Sequence, residues 1–178
     1  MLTDFPVAFP VRGPPTFGPM RFGITADHAG FELRGPLARQ LRALGHEVVD
    51  FGPTRYAKDD DYPDVVAPLA EAVAGGEVER GVAVCGSGVG ACIVANKIAG
   101  VRASVCHDTY SARQGVEHDD LNVLVIGARV IGPELIAEIV RAFAGARFSG
   151  EERHIRRLEK LRQLEARFCN SNRPSETA

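Results

Sequence analysis

The stretch GVAVCGSGVGACIVANKIAGVRASVC, residues 81–106, decides the fold. It opens on a short apolar run, Gly81 to Cys85, and breaks at three alternating glycines, Gly86, Gly88 and Gly90. Helical spacing follows over 88–98, and a second short run, 102–106, closes the unit. Strand, glycine turn, helix and strand in that order describe a parallel crossover. The same alternation extends outward. A strand over 21–26 precedes a helix over 30–44 with Phe31, Leu33, Leu37, Leu41 and Leu44 on one face. The run HEVVDFG follows as a second strand, and a loop rich in Asp and Tyr (53–63) leads to a helix over 64–74. Downstream lie a helix over 109–117, a strand over 122–127 and a helix over 133–144. The class is therefore α/β: a three-layer α/β/α, Rossmann-like arrangement with a five-stranded parallel sheet and an extra C-terminal helix.

The ends differ in character. Residues 1–19 hold five of the eleven prolines, leaving no room for a helix or central strand; they read as a flexible extension without the features of a secretory signal. Residues 20–168 form one domain, and 169–178 read as a disordered tail. The last helix, 151–167, is heavily charged, with Ile155, Leu158, Leu161 and Leu164 in a stripe too thin for a core helix. That stripe suits a helix lying across a surface or a partner subunit.

Composition narrows the function. The 178 residues are 45% apolar and 25% charged, with net charge −2, so no global positive field holds nucleic acid. No apolar run is long enough for a membrane span. Four cysteines (Cys85, Cys92, Cys106, Cys169) form no C-x-x-C pair, which argues against disulfides or zinc and for a reducing cytoplasm.

Ligands of an open parallel sheet bind beyond the carboxyl ends of its strands. There the sequence places Asp27-His28, the loop CGSGVG (85–90), His107-Asp108 and Arg129. The glycine loop at a helix start offers amides to a phosphate or an oxyanion, or is simply a tight turn. Cys85 beside that helix start is expected to favour its thiolate; the bland alternative is a small buried hydrophobe. The spelling fails a dinucleotide fingerprint, being G-x-G-x-G, and Ala91 stands where a cysteine phosphatase needs arginine. Asp27 reads first as a helix cap and second as a proton carrier or sugar ligand beside His28. His118, with Asp119 and Asp120, lacks a second ligand at metal spacing. Arg153 and Arg157, four apart on one helical face, suit a phosphate or a solvated surface.

Five segments in order, ADHAGFELR (26–34), DYPD (61–64), VCGSGVGACIVANKIAGVRA (84–103), EHDDLNVLVIGARVIG (117–132) and ERHIRRLEKL (152–161), resemble the B-type ribose-5-phosphate isomerases and their galactose-6-phosphate isomerase relatives. The resemblance implies cofactor-free and metal-free aldose–ketose isomerisation of a phosphorylated sugar. It also implies a homodimer or tetramer with sites shared between subunits, without nucleic-acid or membrane partners. By resemblance, Cys85 is the base at C2. Ser87 and the amides of Gly86, Gly88, Val89 and Gly90 form the anion hole, and His118 assists ring opening, with Asp27 catalytic near the ring oxygen and hydroxyls. His28, Arg129, Arg153 and Arg157 bind phosphate, and Tyr62 and Asn122 line the sugar. The two C-terminal arginines are expected from the partner. Ala91 places the chain in the cysteine-type branch.

The pattern departs at Asp119, where relatives carry Asn, at Val116, where they carry Arg, and at Gly115 and His107. These leave tetrose, allose or galactose 6-phosphate as alternatives to the pentose. A non-catalytic binding subunit and a nicotinamide oxidoreductase are rivals from other classes. Retention of Cys85, Ser87 and His118 argues against the first, and the glycine spacing against the second.

Overall fold

The structure, a computed structural model, describes residues 18–171. In chain order the elements are β1 (Arg21–Ala26), α1 (Phe31–Ala43), β2 (Glu47–Asp50), α2 (Tyr62–Ala74), β3 (Arg80–Cys85), α3 (Val89–Ala95), β4 (Ala103–Val105), α4 (Thr109–Asp119), β5 (Val123–Gly127), α5 (Pro133–Gly145) and α6 (Glu152–Ser171). All five strands are parallel, in the order β2-β1-β3-β5-β4. Most of the expected N-terminal extension and residues 172–178 of the expected tail lie outside the described residues, as does the Cys169 side chain.

Period-two alternation explains how the strands bury both faces. Phe22 and Ile24 of β1, Val82 and Val84 of β3 and Leu124 and Ile126 of β5 pack with α1, α4 and α5. Ala83 and Cys85 of β3 and Val123 and Val125 of β5 turn to the other face, beneath α2 and α3. The first layer closes over Ile136, Ile139 and Phe143 of α5, all fully buried; each such side chain stabilises the fold by about 1.5–3 kcal/mol. Thr25 and Arg80 are the buried polar residues of the strands. The Thr25 hydroxyl donates to the Val65 carbonyl at 2.9 Å, and Arg80 Nη1 donates to the Phe143 and Ala146 carbonyls at 2.8 and 3.0 Å, so both side chains are satisfied where they are buried.

Helix α6 departs from the layers. It follows α5 at the amino edge of the sheet, where Glu165 accepts the Gly100 amide at 2.9 Å. Of its apolar stripe only Leu158 is buried, while Ile155, Leu161, Leu164 and Phe168 are exposed. The stripe expected from sequence is there, and most of it is uncovered.

Candidate active site

Chain direction reverses at β1: it steps to β2 on one side and then crosses to β3 on the other. That switch point opens a crevice at the carboxyl edge, flanked by Asp27 after β1 and Cys85 at the end of β3. Asp27 is 3% exposed, and its Oδ1 accepts the amides of Ala29 and Gly30 at 2.9 and 3.2 Å. The cap of α1 is Gly30 rather than Asp27; the Asp27 carboxylate instead closes the turn ahead of it and faces the thiol of Cys85, which donates to it.

This contact corrects one expectation. Cys85 does not rest as an activated thiolate. Burial, then the hydrogen bond to Asp27 and the Asp27 charge, push its pKa above the ordinary thiol value; the amides of Gly86 and Gly88 pull down but lose. α3 is only seven residues long, too short a dipole to outweigh a carboxylate. The thiol instead keeps its proton beside an acceptor already in place.

Above Cys85 the loop turns through Gly88, whose φ of +84° strains any residue with a side chain. Ser87 is exposed, its hydroxyl accepting the Val89 amide at 3.3 Å. A Cβ on Gly90 would come within 2.8 Å of the Tyr62 ring, so the aromatic wall of the crevice lies on bare backbone. Arg129 folds over the loop from the end of β5: its amide donates to the Gly86 carbonyl at 3.0 Å, and its Nη1 lies 3.7 Å from where a Gly86 Cβ would be. His28 lines the rim from the β1 side, its Nδ1 2.6 Å from Asp60. His107 sits behind the loop near Gly127 with its Nε2 buried and unpartnered. Asp27, His28, Tyr62, Cys85, the loop amides, Ser87 and Arg129 thus converge on one crevice.

Four expected residues do not join them. His118 stands near the far end of α4 (Thr109–Asp119), which carries it about 14 Å back toward the amino edge. There its ring stacks on His154 at 4.2 Å, and Gln114 Nε2 approaches its Nδ1 at 2.7 Å, which leaves Nε2 to carry the proton. His154 is fully buried, with Nδ1 2.6 Å from Ser149 Oγ; burial, then the His118 imidazole, lower its pKa. Arg153 and Arg157 flank this pair at the start of α6, Arg153 meeting only the exposed Glu151 at 2.8 Å. Asn122, expected along the sugar, is buried before β5. Its amide is spent on the Arg102 amide at 2.7 Å and the Gly100 carbonyl at 2.9 Å, which makes it a brace for the turn into β4. The site residues form two clusters, one at each edge of the sheet.

Among the described residues no group of three or more metal-ligating side chains is arranged to hold an ion, and no helix is long and apolar enough to cross a membrane.

The chain is similar to known proteins over most of its described length. A profile of the ribose/galactose isomerases matches residues 22–161. The chain belongs to that family. Ribose-5-phosphate isomerase B of Escherichia coli is 46% identical over 141 residues, covering 79% of this chain and 93% of its own. A D-erythrulose-4-phosphate isomerase of Pectobacterium atrosepticum is 42% identical over 131 residues, 74% of this chain and 86% of its own. The structure of ribose-5-phosphate isomerase B from Clostridium thermocellum superposes with a TM-score of 0.79 at 42% identity, covering 84% of this chain and 99% of the other. The chain is an aldose–ketose isomerase.

Proposed function

We propose that the enzyme interconverts ribose 5-phosphate and ribulose 5-phosphate through a cis-enediolate, with Cys85 as the base at C2. The observation that carries the mechanism is the Cys85 thiol held against Asp27 beneath the glycine loop. In the first step His118 donates its Nε2 proton to the ring oxygen as the anomeric hydroxyl returns a proton to the same nitrogen, so the sugar opens and the imidazole ends as it began. Asp27 then relieves sulfur of its proton, and the thiolate removes hydrogen from C2 as the C1 carbonyl oxygen gains charge. The amides of Gly86, Gly88, Val89 and Gly90 and the Ser87 hydroxyl receive that charge, where a single donor is worth about 10²–10³ in rate. Protonation at C1 and transfer of the O2 proton to O1 complete the ketose. The oxidation of one carbon balances the reduction of its neighbour, so these side chains suffice.

Such a scheme needs both clusters at one sugar, and the sheet separates them within one chain. A second copy supplying His118, Arg153 and Arg157 to the crevice resolves this, in a homodimer or a tetramer of such dimers. The exposed apolar face of α3, Val89 and Ile93, beside a depression of about 370 Å³, and the uncovered stripe of α6 are surfaces suited to it. The free thiols Cys85, Cys92 and Cys106 suit a reducing, cytoplasmic setting.

A tetrose phosphate is the second reading. It is favoured by the carboxylate of Asp119 next to His118 and by the likeness to a D-erythrulose-4-phosphate isomerase. Comparing kcat/KM of the purified protein for tetrose, pentose and hexose phosphates decides between them. Highest turnover of the pentose supports the first reading; preference for the tetrose replaces it. Turnover that appears only with a second, different subunit would make the chain a binding partner.

A further inference from the structure

Asp60 belongs to none of the motifs above, yet it is a largely buried acid at the crevice rim. It sits in the loop before α2, in a turn where its own amide donates to the Ala57 carbonyl at 3.3 Å. Its side chain is only 10% exposed. One oxygen, Oδ1, lies 2.6 Å from His28 Nδ1 and accepts the His28 backbone amide at 3.3 Å. The other, Oδ2, is buried with no partner. A carboxylate without a proton only accepts, so Nδ1 must carry hydrogen and the tautomer of His28 is settled. The ring, 30% exposed, then has Nε2 as its one uncommitted nitrogen.

We propose that Asp60 is a positioning residue: it clamps the His28 ring so that Nε2 meets the phosphate of the sugar. This rests on the reading of His28 as a phosphate ligand and extends it to a residue 32 positions away. A ring that donates from Nε2 to phosphate and from Nδ1 to Asp60 carries both protons. Its positive charge then lies between two anions. Two contacts to one oxygen, one of them from backbone, fix both the ring and the chain that bears it. That limits the rotamer freedom the imidazole would otherwise lose on binding. The buried, unpartnered Oδ2 is the cost of the arrangement, since burying a polar atom without a partner is unfavourable. A merely structural acid would be better placed in water.

The test is a set of variants read by steady-state kinetics with the sugar phosphate and by competition with inorganic phosphate. In Asp60→Ala, KM and the inhibition constant for inorganic phosphate should both rise about tenfold while kcat stays within about twofold. Asp60→Asn, whose carbonyl oxygen can accept the same two bonds, should recover most of the loss. In a His28→Ala background, Asp60→Ala should add less than about twofold, because the two act through one contact. An Asp60→Ala effect that persists in that background, falls on kcat alone or is absent would overturn the proposal. Calorimetric binding of inorganic phosphate and the NMR signal of the His28 Nδ1 proton, expected to vanish in Asp60→Ala, report on the clamp without turnover. They separate its failure from failure of the isomerase reading, which would show as a wild-type protein inert toward every sugar phosphate.

Discussion

The two edges of the sheet carry different kinds of chemistry. At the carboxyl edge, backbone dominates: loop amides, a left-handed glycine and a buried thiol–carboxylate pair form a crevice that can bear negative charge and move a carbon-bound proton. At the amino edge, side chains dominate: His118 stacked on His154, with Arg153 and Arg157 on the helix beside them. The first cluster is held by five parallel strands; the second by the end of α4 and the start of α6. In the proposed mechanism neither is a complete isomerase site, because the first lacks the acid for ring opening and the second lacks a base and an oxyanion hole. Each has what the other is missing, and the proposed two-fold assembly would join them.

The largest expected effect falls on the carboxyl edge. Cys85→Ala should lower kcat by about 10²–10⁴ while inorganic phosphate still binds. If turnover is unchanged, the comparison loses its catalytic half. The pH profile sharpens the same point. The native thiol sits above its ordinary 9.0 and gives its proton to Asp27 within the pair, so kcat/KM should stay level across the neutral range. A rate that climbs tenfold per pH unit through neutrality would mean that a thiolate formed in solvent, not the pair, is the base. Next in size is assembly. Ile93→Glu on the exposed face of α3 should shift the particle toward monomer, and activity should fall in step because the amino-edge cluster is withdrawn. Full activity in a monomer would place both clusters' work in one chain.

Smaller losses test the anchors. Arg129→Ala and Arg153→Ala should each raise KM about tenfold, with kcat nearly preserved. An unchanged KM in either would remove that arginine from the phosphate site. The smallest effect is one of stability. His154 titrates below its ordinary 6.5 in the fold, so the unfolded chain takes up the proton first as pH falls. Stability is full above about 6.5 and declines below it. His46, also lowered by burial, contributes in the same direction. His154→Phe should therefore lessen, not abolish, the drop in Tm on acidification; an identical drop would clear His154 of the effect.

Much of this was legible in the residues. Apolar runs separated by helical spacing specify the alternation, and strand ends in a parallel sheet specify the crevice, so Asp27, His28, Cys85 and Arg129 could be grouped before any coordinates. The separation of His118 and Asn122 was legible too: both precede β5, and in a parallel sheet whatever precedes a strand lies at its amino edge. Resemblance to a shared site masked that simple reading. Other facts had no local signal. Asp60 meets His28 across the loop that leads into α2, a contact no spacing encodes. The raised pKa of Cys85 depends on how deeply β3 is covered and on Asp27 arriving from β1. Short-range reasoning saw the helix start and missed both.

Subunit complementation tests the shared site most directly. Cys85→Ala and His118→Ala should each be nearly inactive alone. Mixed and allowed to exchange, they form hybrids in which one of two sites carries both defects and the other none, as an isologous dimer requires. About a quarter of the wild-type activity should return in a random mixture. If exchange is demonstrated and no activity returns, Cys85 and His118 do not serve one sugar from two chains, and the account of a divided site is wrong.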